Sequence, residues 1–170
     1  DYHFYLFGDK DLLNKKIKTR SLKNFEVVDT KIIVSDDLPA LSAVKKGKGS
    51  SMWNCIESQN ILNTDVSLSA GNTGVLLVMS KMILKTLDDV DKPALAGLWP
   101  NKKGMNVVLD LGANIECSEK NLIDFSEMGA ALYQSLFPNE KAKVSLLNIG
   151  LEEVKGTELL KNSYSKLKEL

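Results

Sequence analysis

A single histidine, two isolated cysteines and no surplus of either charge leave several common chemistries without their raw materials. His3 sits inside an apolar terminal stretch with no nucleophile paired to it, which argues against Ser-His-Asp and Cys-His hydrolases. Cys55 and Cys117 show neither the C-x-x-C spacing of a metal site nor the density of a secreted disulfide scaffold, so a reducing cytoplasm is the default compartment. Lys+Arg 22 balances Asp+Glu 22, and nothing in that balance argues for a nucleic-acid partner. The apolar run Val75-Leu76-Leu77-Val78-Met79 is far too short to span a bilayer, and no signal peptide is visible. The dinucleotide fingerprint G-x-G-x-x-G is missing, because Gly71-Asn72-Thr73-Gly74 lacks its first glycine, and no Walker loop occurs. Nicotinamide dehydrogenases and P-loop ATPases are disfavoured accordingly.

What is present is a core. The 170 residues are 44% hydrophobic, enough for one α/β domain spanning residues 1–170. Asp1 stands where an initiator Met is expected and residues 2–7 already read as a strand, so the chain reads as an incomplete portion of a longer protein. After that strand and the turn Gly8-Asp9, residues 11–18 form a polar helix with a narrow stripe of Leu12, Leu13 and Ile17. Phe25-Glu26-Val27-Val28 is a second strand. Asp36, Asp37 and Pro39 mark a turn before a short helix bearing Leu38, Leu41 and Val44. A basic break follows at residues 45–49, and Ser50 or Ser51 caps a helix to about Asn60.

The most informative pattern comes next. Asp65-Val66-Ser67-Leu68-Ser69 reads as a short buried strand that enters Ala70-Gly71-Asn72-Thr73-Gly74 and then a strongly apolar helix, packed on more than one side. The same grammar returns in Val107-Val108-Leu109-Asp110 before Leu111-Gly112-Ala113-Asn114, and in Val144-Ser145-Leu146-Leu147 before Asn148-Ile149-Gly150. Ser118 caps a helix with Leu122, Phe125, Met128, Leu132 and Leu136 on one face, stopped by Pro138. The last helix starts near Thr157 and buries Leu160, Tyr164 and Leu167. Strands alternating with helices predict a layered α/β fold with a mostly parallel sheet flanked by helices. If parallel, the three strands deliver their loops to one sheet edge, where open α/β folds build sites.

Those loops suit an anion. Glycine lets backbone approach a ligand, and free N–H groups at a helix start favour negative charge. Lys155, with Gly156, immediately precedes a helix start, adding a full positive charge to the partial one of the helix end. Asn72, Asn114 and Asn148 can each donate to an oxyanion or phosphate, and Ser69 and Thr73 offer hydroxyls, though capping is the commoner role of both. Asp110 ends a strand, placed to orient Lys155 or Asn114 or equally to serve as a structural turn residue. Lys45, Lys46 and Lys48 ahead of Ser50 and Ser51 form a second basic cluster, of the kind that is usually a solvated face.

Taken in order, Phe7-Gly8-Asp9, Ser50-Ser51-Met52, Ser69-Ala70-Gly71-Asn72-Thr73-Gly74, Lys92-Pro93-Ala94-Leu95-Ala96, Leu109-Asp110-Leu111-Gly112-Ala113-Asn114 and Leu146-Leu147-Asn148-Ile149-Gly150 resemble the bacterial phosphate acyltransferase family, PlsX. So does Glu152-Glu153-Val154-Lys155-Gly156-Thr157-Glu158-Leu159, with the family's usual Lys-Gly-Asn appearing as Lys155-Gly156-Thr157. The family opens with a strand and a Gly-Gly-Asp motif ahead of the region matched by Asp1, and continues well past Leu170.

The resemblance implies a cytoplasmic bacterial enzyme of phospholipid synthesis that moves a fatty acyl group from acyl carrier protein to inorganic phosphate, giving acyl phosphate. It implies a fold related to the isocitrate/isopropylmalate dehydrogenase-like and phosphotransacetylase-like architectures, no cofactor, a homodimer in the full-length enzyme and a peripheral membrane contact. Lys155 and Asn148 are the expected catalytic residues, with Ser69, Gly71, Asn72, Thr73, Gly74 and Asn114 binding substrate. A catalytically silent fragment that keeps an anion-binding module is the alternative. A decarboxylating dehydrogenase shares the layering but needs metal-binding carboxylates and a nucleotide loop that the chain does not display.

Overall fold

The computed structural model describes residues 2–35, 39–152 and 154–169, and the chain divides into two compact units, Asp1–Lys85 and Thr86–Leu170. The first is built as a parallel pair and four helices: β1 Phe4–Gly8, α1 Lys10–Ile17, β2 Phe25–Asp29, α2 Ala40–Lys46, α3 Ser51–Ile61 and α4 Thr73–Leu84. β1 and β2 run parallel, from Phe4 opposite Phe25 to Gly8 opposite Asp29. A parallel pair needs a crossover, and α1 supplies it. The Asp9 carboxylate caps α1 by accepting from the N–H groups of Asp11 at 3.0 Å and Leu12 at 2.9 Å. The expected turn at Asp36 and Asp37, and Leu38 with it, lie outside the described residues.

Helices α2, α3 and α4 close around Ala43, Val44, Met52, Ile56, Val75 and Met79. Ser50, itself buried, caps α3 by accepting from Trp53 N–H, and Asn72 caps α4 by accepting from Val75 N–H at 3.0 Å. Val75 and Met79 are fully buried, and Leu76, Val78 and Ile83 pack partly against the same core while Met82 faces solvent.

The expected buried strand at residues 65–69 is not formed. Leu68 is 89% exposed, and no ladder among the described residues includes the segment. It lies extended along α3 instead, held by side chains: Ser67 Oγ donates to Cys55 C=O at 2.8 Å, Gln59 Nε2 donates to Ser67 Oγ at 2.9 Å, and the Ser58 and Thr64 hydroxyls bond at 2.9 Å. Alternating apolar residues favour extended backbone, but a strand also needs a paired neighbour, and among the described residues β1 is paired with β2 alone.

The second unit holds an antiparallel hairpin, β3 Ala96–Asn101 with β4 Gly104–Leu109, and two helices, α5 Glu119–Leu136 and α6 Glu158–Leu167. Asn101 builds the two-residue turn: its Oδ1 accepts from Lys103 N–H at 2.6 Å and its Nδ2 donates to Asn106 at 2.8 Å. β4 is the expected strand; its partner β3 is unforeseen. Pro100 is tolerated there because every strand of a two-stranded sheet is an edge. Residues 144–147, the third expected strand, also lack a ladder, and Leu147 is 93% exposed. The fold is therefore mixed α/β with a small parallel sheet and helices, but the single mostly parallel sheet is replaced by one parallel and one antiparallel pair.

Ser118 and Asn121 form a reciprocal capping box at the start of α5, which ends at Leu136 with Phe137 as its cap, just before Pro138. α5 packs on β4 closely enough that a Cβ on Gly129 would stand 3.0 Å from Leu109. In α6 it is Ser163 that is buried, with Leu160 and Leu167 half-buried; Tyr164, expected inside, is 54% exposed and lies beneath the Lys168 ammonium. Tyr164 falls off the stripe because α6 turns its Leu160–Ser163–Leu167 line toward α5. Lys166 Nζ reaches Glu119 at 2.5 Å and Asn162 Nδ2 donates to the same carboxylate at 3.0 Å, tying α6 to the first turn of α5.

That tie is pH-sensitive. The hydrogen bond from Lys166, and then that from Asn162, hold the Glu119 carboxyl below the ordinary glutamate value of 4.5. A carboxyl depressed in the folded state stabilises it above the unfolded pKa, and the contribution disappears as pH falls through the folded value. The melting-temperature gap between the native chain and Lys166→Met should be largest above pH 4.5 and should close below it. A gap that ignores pH would show that the pair contributes no charge interaction.

Candidate functional sites

In the first unit, the residue 69–74 loop borders an open cleft of about 370 Å³. Leu6 and Phe7 of β1 line it, with Ser51, Met52 and Cys55 of α3 and the stretch from Leu68 to Asn72. Two segments singled out in the sequence, Ser51-Met52 and Ser69 to Asn72, thus meet at one cleft, and each belongs to a helix start. The exposed Lys45, Lys46 and Lys48 are not among its lining residues. Ser69 Oγ accepts from Gly71 N–H at 3.2 Å, which tightens the loop ahead of α4. A Cβ on Gly71 would come within 2.5 Å of Met52 Cε, so the loop backbone lies directly on the tip of that methionine. Asn72 spends its side-chain oxygen on the α4 cap. Thr73 and Gly74 are the first two helical residues, whose N–H groups have no intrahelical acceptor.

In the second unit, Asn114 serves the backbone. Its Nδ2 donates to Pro93 C=O at 2.9 Å and to Asp110 Oδ1 at 3.0 Å, while its N–H donates to the same carboxylate at 3.2 Å. Asp110 accepts from Asn114, as one expected role, and its left-handed φ of 58° is that of the turn residue it was equally expected to be. Cys117 Sγ leans on Asp110 Oδ2 at 3.7 Å; burial, then the Asp110 charge, pushes its thiol pKa up, which keeps it protonated and a poor nucleophile.

Asn148 and Lys155 do meet. They bracket one loop, in which Asn148 Nδ2 donates to Lys155 C=O at 3.2 Å and Asn148 Oδ1 accepts from Ile149 N–H at 2.8 Å. Gly156 follows with φ of 90°, and a Cβ there would stand 2.6 Å from Asn148 Oδ1. Thr157 then caps α6 by accepting from Leu160 N–H at 3.3 Å. The Lys155 side chain is exposed and forms no ion pair among the described residues. The Lys155 side chain lies against Gly150, and a separate open cavity of about 540 Å³ is lined by Leu147, Asn148, Ile149, Gly156, Thr157 and Leu160.

His3 is structural, with Nε2 at 3.3 Å from Glu26 and its ring edge-on to Tyr5 at 4.9 Å. Among the described residues no three His, Cys, Asp or Glu side chains gather closely enough to hold a metal ion, and no helix is long and apolar enough to cross a membrane. Cys55 lines the first cleft without a motif of its own. Its i, i+3 spacing from Met52 is the signal that puts the two on one face of α3.

Residues 1–170 match the family model described as Fatty acid synthesis protein. The chain is 52% identical over 166 residues to the phosphate acyltransferase of Pelagibacter ubique (strain HTCC1062), covering 98% of this chain and 50% of that protein. It is 40% identical over 174 residues to the phosphate acyltransferase of Sinorhizobium medicae (strain WSM419), 99% of this chain and 50% of that one. The phosphate acyltransferase of Rhodopseudomonas palustris (strain BisB18) is 42% identical over 173 residues, 100% and 49% respectively. The chain spans about half the length of the curated relatives it matches.

The 148–157 loop yields a direct test. Gly156→Ala puts a side chain at a left-handed φ and against the Asn148 amide, so it should cost about 1–3 kcal/mol in a denaturant titration. Combined with Asn148→Ala, which removes the colliding amide, the two penalties should fall short of their sum. Strict additivity would show that Gly156 and Asn148 are not coupled.

Proposed function

The chain belongs to the fatty acid synthesis protein family, and from that membership we propose that the longer protein it corresponds to transfers a fatty acyl group from acyl carrier protein to inorganic phosphate. A phosphate oxygen attacks the thioester carbonyl carbon, a C–O bond forms through a tetrahedral oxyanion, and the C–S bond breaks to release the carrier thiol and acyl phosphate. Phosphate is already anionic at neutral pH, so the step demands binding and charge screening more than a general base. The observation that carries this reading is the Asn148–Lys155–Gly156 loop, where one amide holds the backbone of an exposed lysine at the mouth of a helix N-terminus.

Lys155 is assigned to phosphate binding and to screening the developing charge. Asn148 holds the Lys155 backbone with one amide hydrogen, and its second is assigned to the oxyanion. The residue 69–74 loop supplies an anion cradle through Ser69, Gly71, the Asn72 Nδ2 and the N–H groups of Thr73 and Gly74. Asn114 contributes by bracing its loop, since its amide bonds Pro93 and Asp110. Residues 1–170 are read as a single α/β domain, a portion of a longer cytoplasmic homodimeric enzyme that touches membranes peripherally. The isocitrate/isopropylmalate dehydrogenase-like and phosphotransacetylase-like architectures are its proposed relatives. Half-length coverage favours a second reading for the isolated chain: a catalytically silent, anion-binding fragment.

In the complete enzyme, Lys155→Ala should lower phosphate-dependent thiol release by about 100- to 1,000-fold, the usual loss for one preorganised oxyanion donor. Lys155→Met should be as damaging, and Lys155→Arg should retain some phosphate affinity with poorer geometry. Lys102→Ala in the hairpin turn is the control; Lys166, paired with Glu119, is unsuited to it. Near-normal turnover of Lys155→Ala at limiting phosphate moves the assignment to the residue 69–74 loop.

Carrier protein is acidic, and Lys10, Lys15, Lys16, Lys18 and Arg20 are all exposed along and just after α1. Affinity for the carrier should therefore drop as salt rises, because exposed charges are screened within roughly 8–10 Å at physiological ionic strength. Binding that is indifferent to salt would point to an apolar contact instead.

A further inference from the structure

We propose that the cleft beside β1 is the seat of a further β-strand, supplied by the part of the longer protein that lies outside residues 1–170. The proposal stands apart from the acyl-transfer reading, because it follows from backbone geometry. In a parallel pair the N–H and C=O of one residue point to the same neighbour, and those of the next residue point away. Phe4 N–H donates to Asn24 C=O at 2.9 Å and Gly8 C=O accepts from Thr30 N–H at 3.0 Å, so Phe4, Leu6 and Gly8 are the residues of β1 that serve β2. The N–H and C=O groups of Tyr5 and Phe7 face the other way. Among the described residues β1 has no second ladder partner to meet them.

That free edge is one rim of the cleft. Tyr5, Leu6 and Phe7 line it consecutively, whereas a sheet face would present alternate residues, and no residue of β2 takes part. The opposite rim is also a consecutive run, Leu68 to Asn72. Among the described residues the backbone of its first four residues forms no hydrogen bond with another backbone group. Leu13 of α1 and Met52 and Cys55 of α3 close the flanks. A hydrocarbon seated here would dry these donors and acceptors without pairing them, and an anion would meet carbonyls as well as N–H groups. An extended strand pairs both.

β1 is composed for such a neighbour. Phe4-Tyr5-Leu6-Phe7 is an unbroken apolar run, the pattern of a strand inside a parallel sheet, and it carries none of the charges or prolines that blunt a permanent edge. β2, with Glu26 and Asp29, is the edge by composition. Residues 64 and 67 do not fill the gap, because Ser58, Gln59 and Cys55 pin them to α3. The chain spans about half the length of its relatives, which leaves a comparable length of protein to supply the strand. Seated there, the strand runs beside Ser69, Gly71 and Asn72, so the candidate loop gains its full surroundings only in the complete protein.

The test is amide hydrogen exchange in the complete, unmodified protein, read residue by residue by NMR. Protection of Tyr5 and Phe7 should match that of Leu6, because a strand paired on both edges opens as one unit. An alternating pattern, with Leu6 slow and Tyr5 and Phe7 fast, overturns the proposal. Nuclear Overhauser contacts from the Tyr5 and Phe7 amides identify the occupant, and they should run to backbone protons of the same molecule outside residues 1–170. The absence of such contacts, contacts confined to residues 1–170, or contacts seen only between differently labelled copies would each overturn it.

Discussion

Burial of Val75 and Met79 beneath α2 and α3 is the contact on which the first unit depends. Both are wholly inaccessible, and each buried side chain of this size is worth about 1.5–3 kcal/mol. Because those residues sit in the first two turns of α4, the same contact locates the α4 N-terminus and the loop that feeds it. The candidate loop and the core are thus consecutive stretches of chain. The loop can remain exposed because the residues after it are anchored in the core.

Helix ends were the most legible features of the sequence. Asp9, Ser50, Ser118 and Thr157 all announce a helix start by a side chain that can accept from the first turn, and capping is a local interaction that needs no knowledge of the rest of the fold. Strands were legible only as extended backbone. Val66 and Leu68 alternate with polar residues as a strand should, yet pairing is settled by a neighbour that the alternation does not name. The converse held for β3, where Gly97 and Pro100 interrupt the apolar signal while β4, across the Asn101 turn, supplies the ladder. Tyr164 went outward for a similar reason: its spacing fits an apolar stripe one position away from the stripe that α6 uses.

The asparagines divide by what their amides already do. Sequence alone treats Asn72, Asn114 and Asn148 as equal donors. In the folded chain Asn114 is committed to Pro93 and Asp110, Asn72 gives its oxygen to the α4 cap, and Asn148 is divided between Ile149 and Lys155. A side chain's remaining hydrogen-bonding capacity is a tertiary quantity, and it separates the three more sharply than motif membership does.

Met52 and Met79 each press a terminal methyl into room left by a glycine, Met52 at Gly71 and Met79 at Gly47. These are two halves of one volume, divided between a flexible side chain and a bare backbone. A larger residue at position 71 can be accommodated by swinging or shortening Met52, because only the end of a pliable thioether is in the way. Position 47 has no such latitude, since the Ala43 carbonyl also closes on it. Among descendants of this chain, positions 52 and 71 should therefore drift as a matched pair, while glycine at 47 stays put.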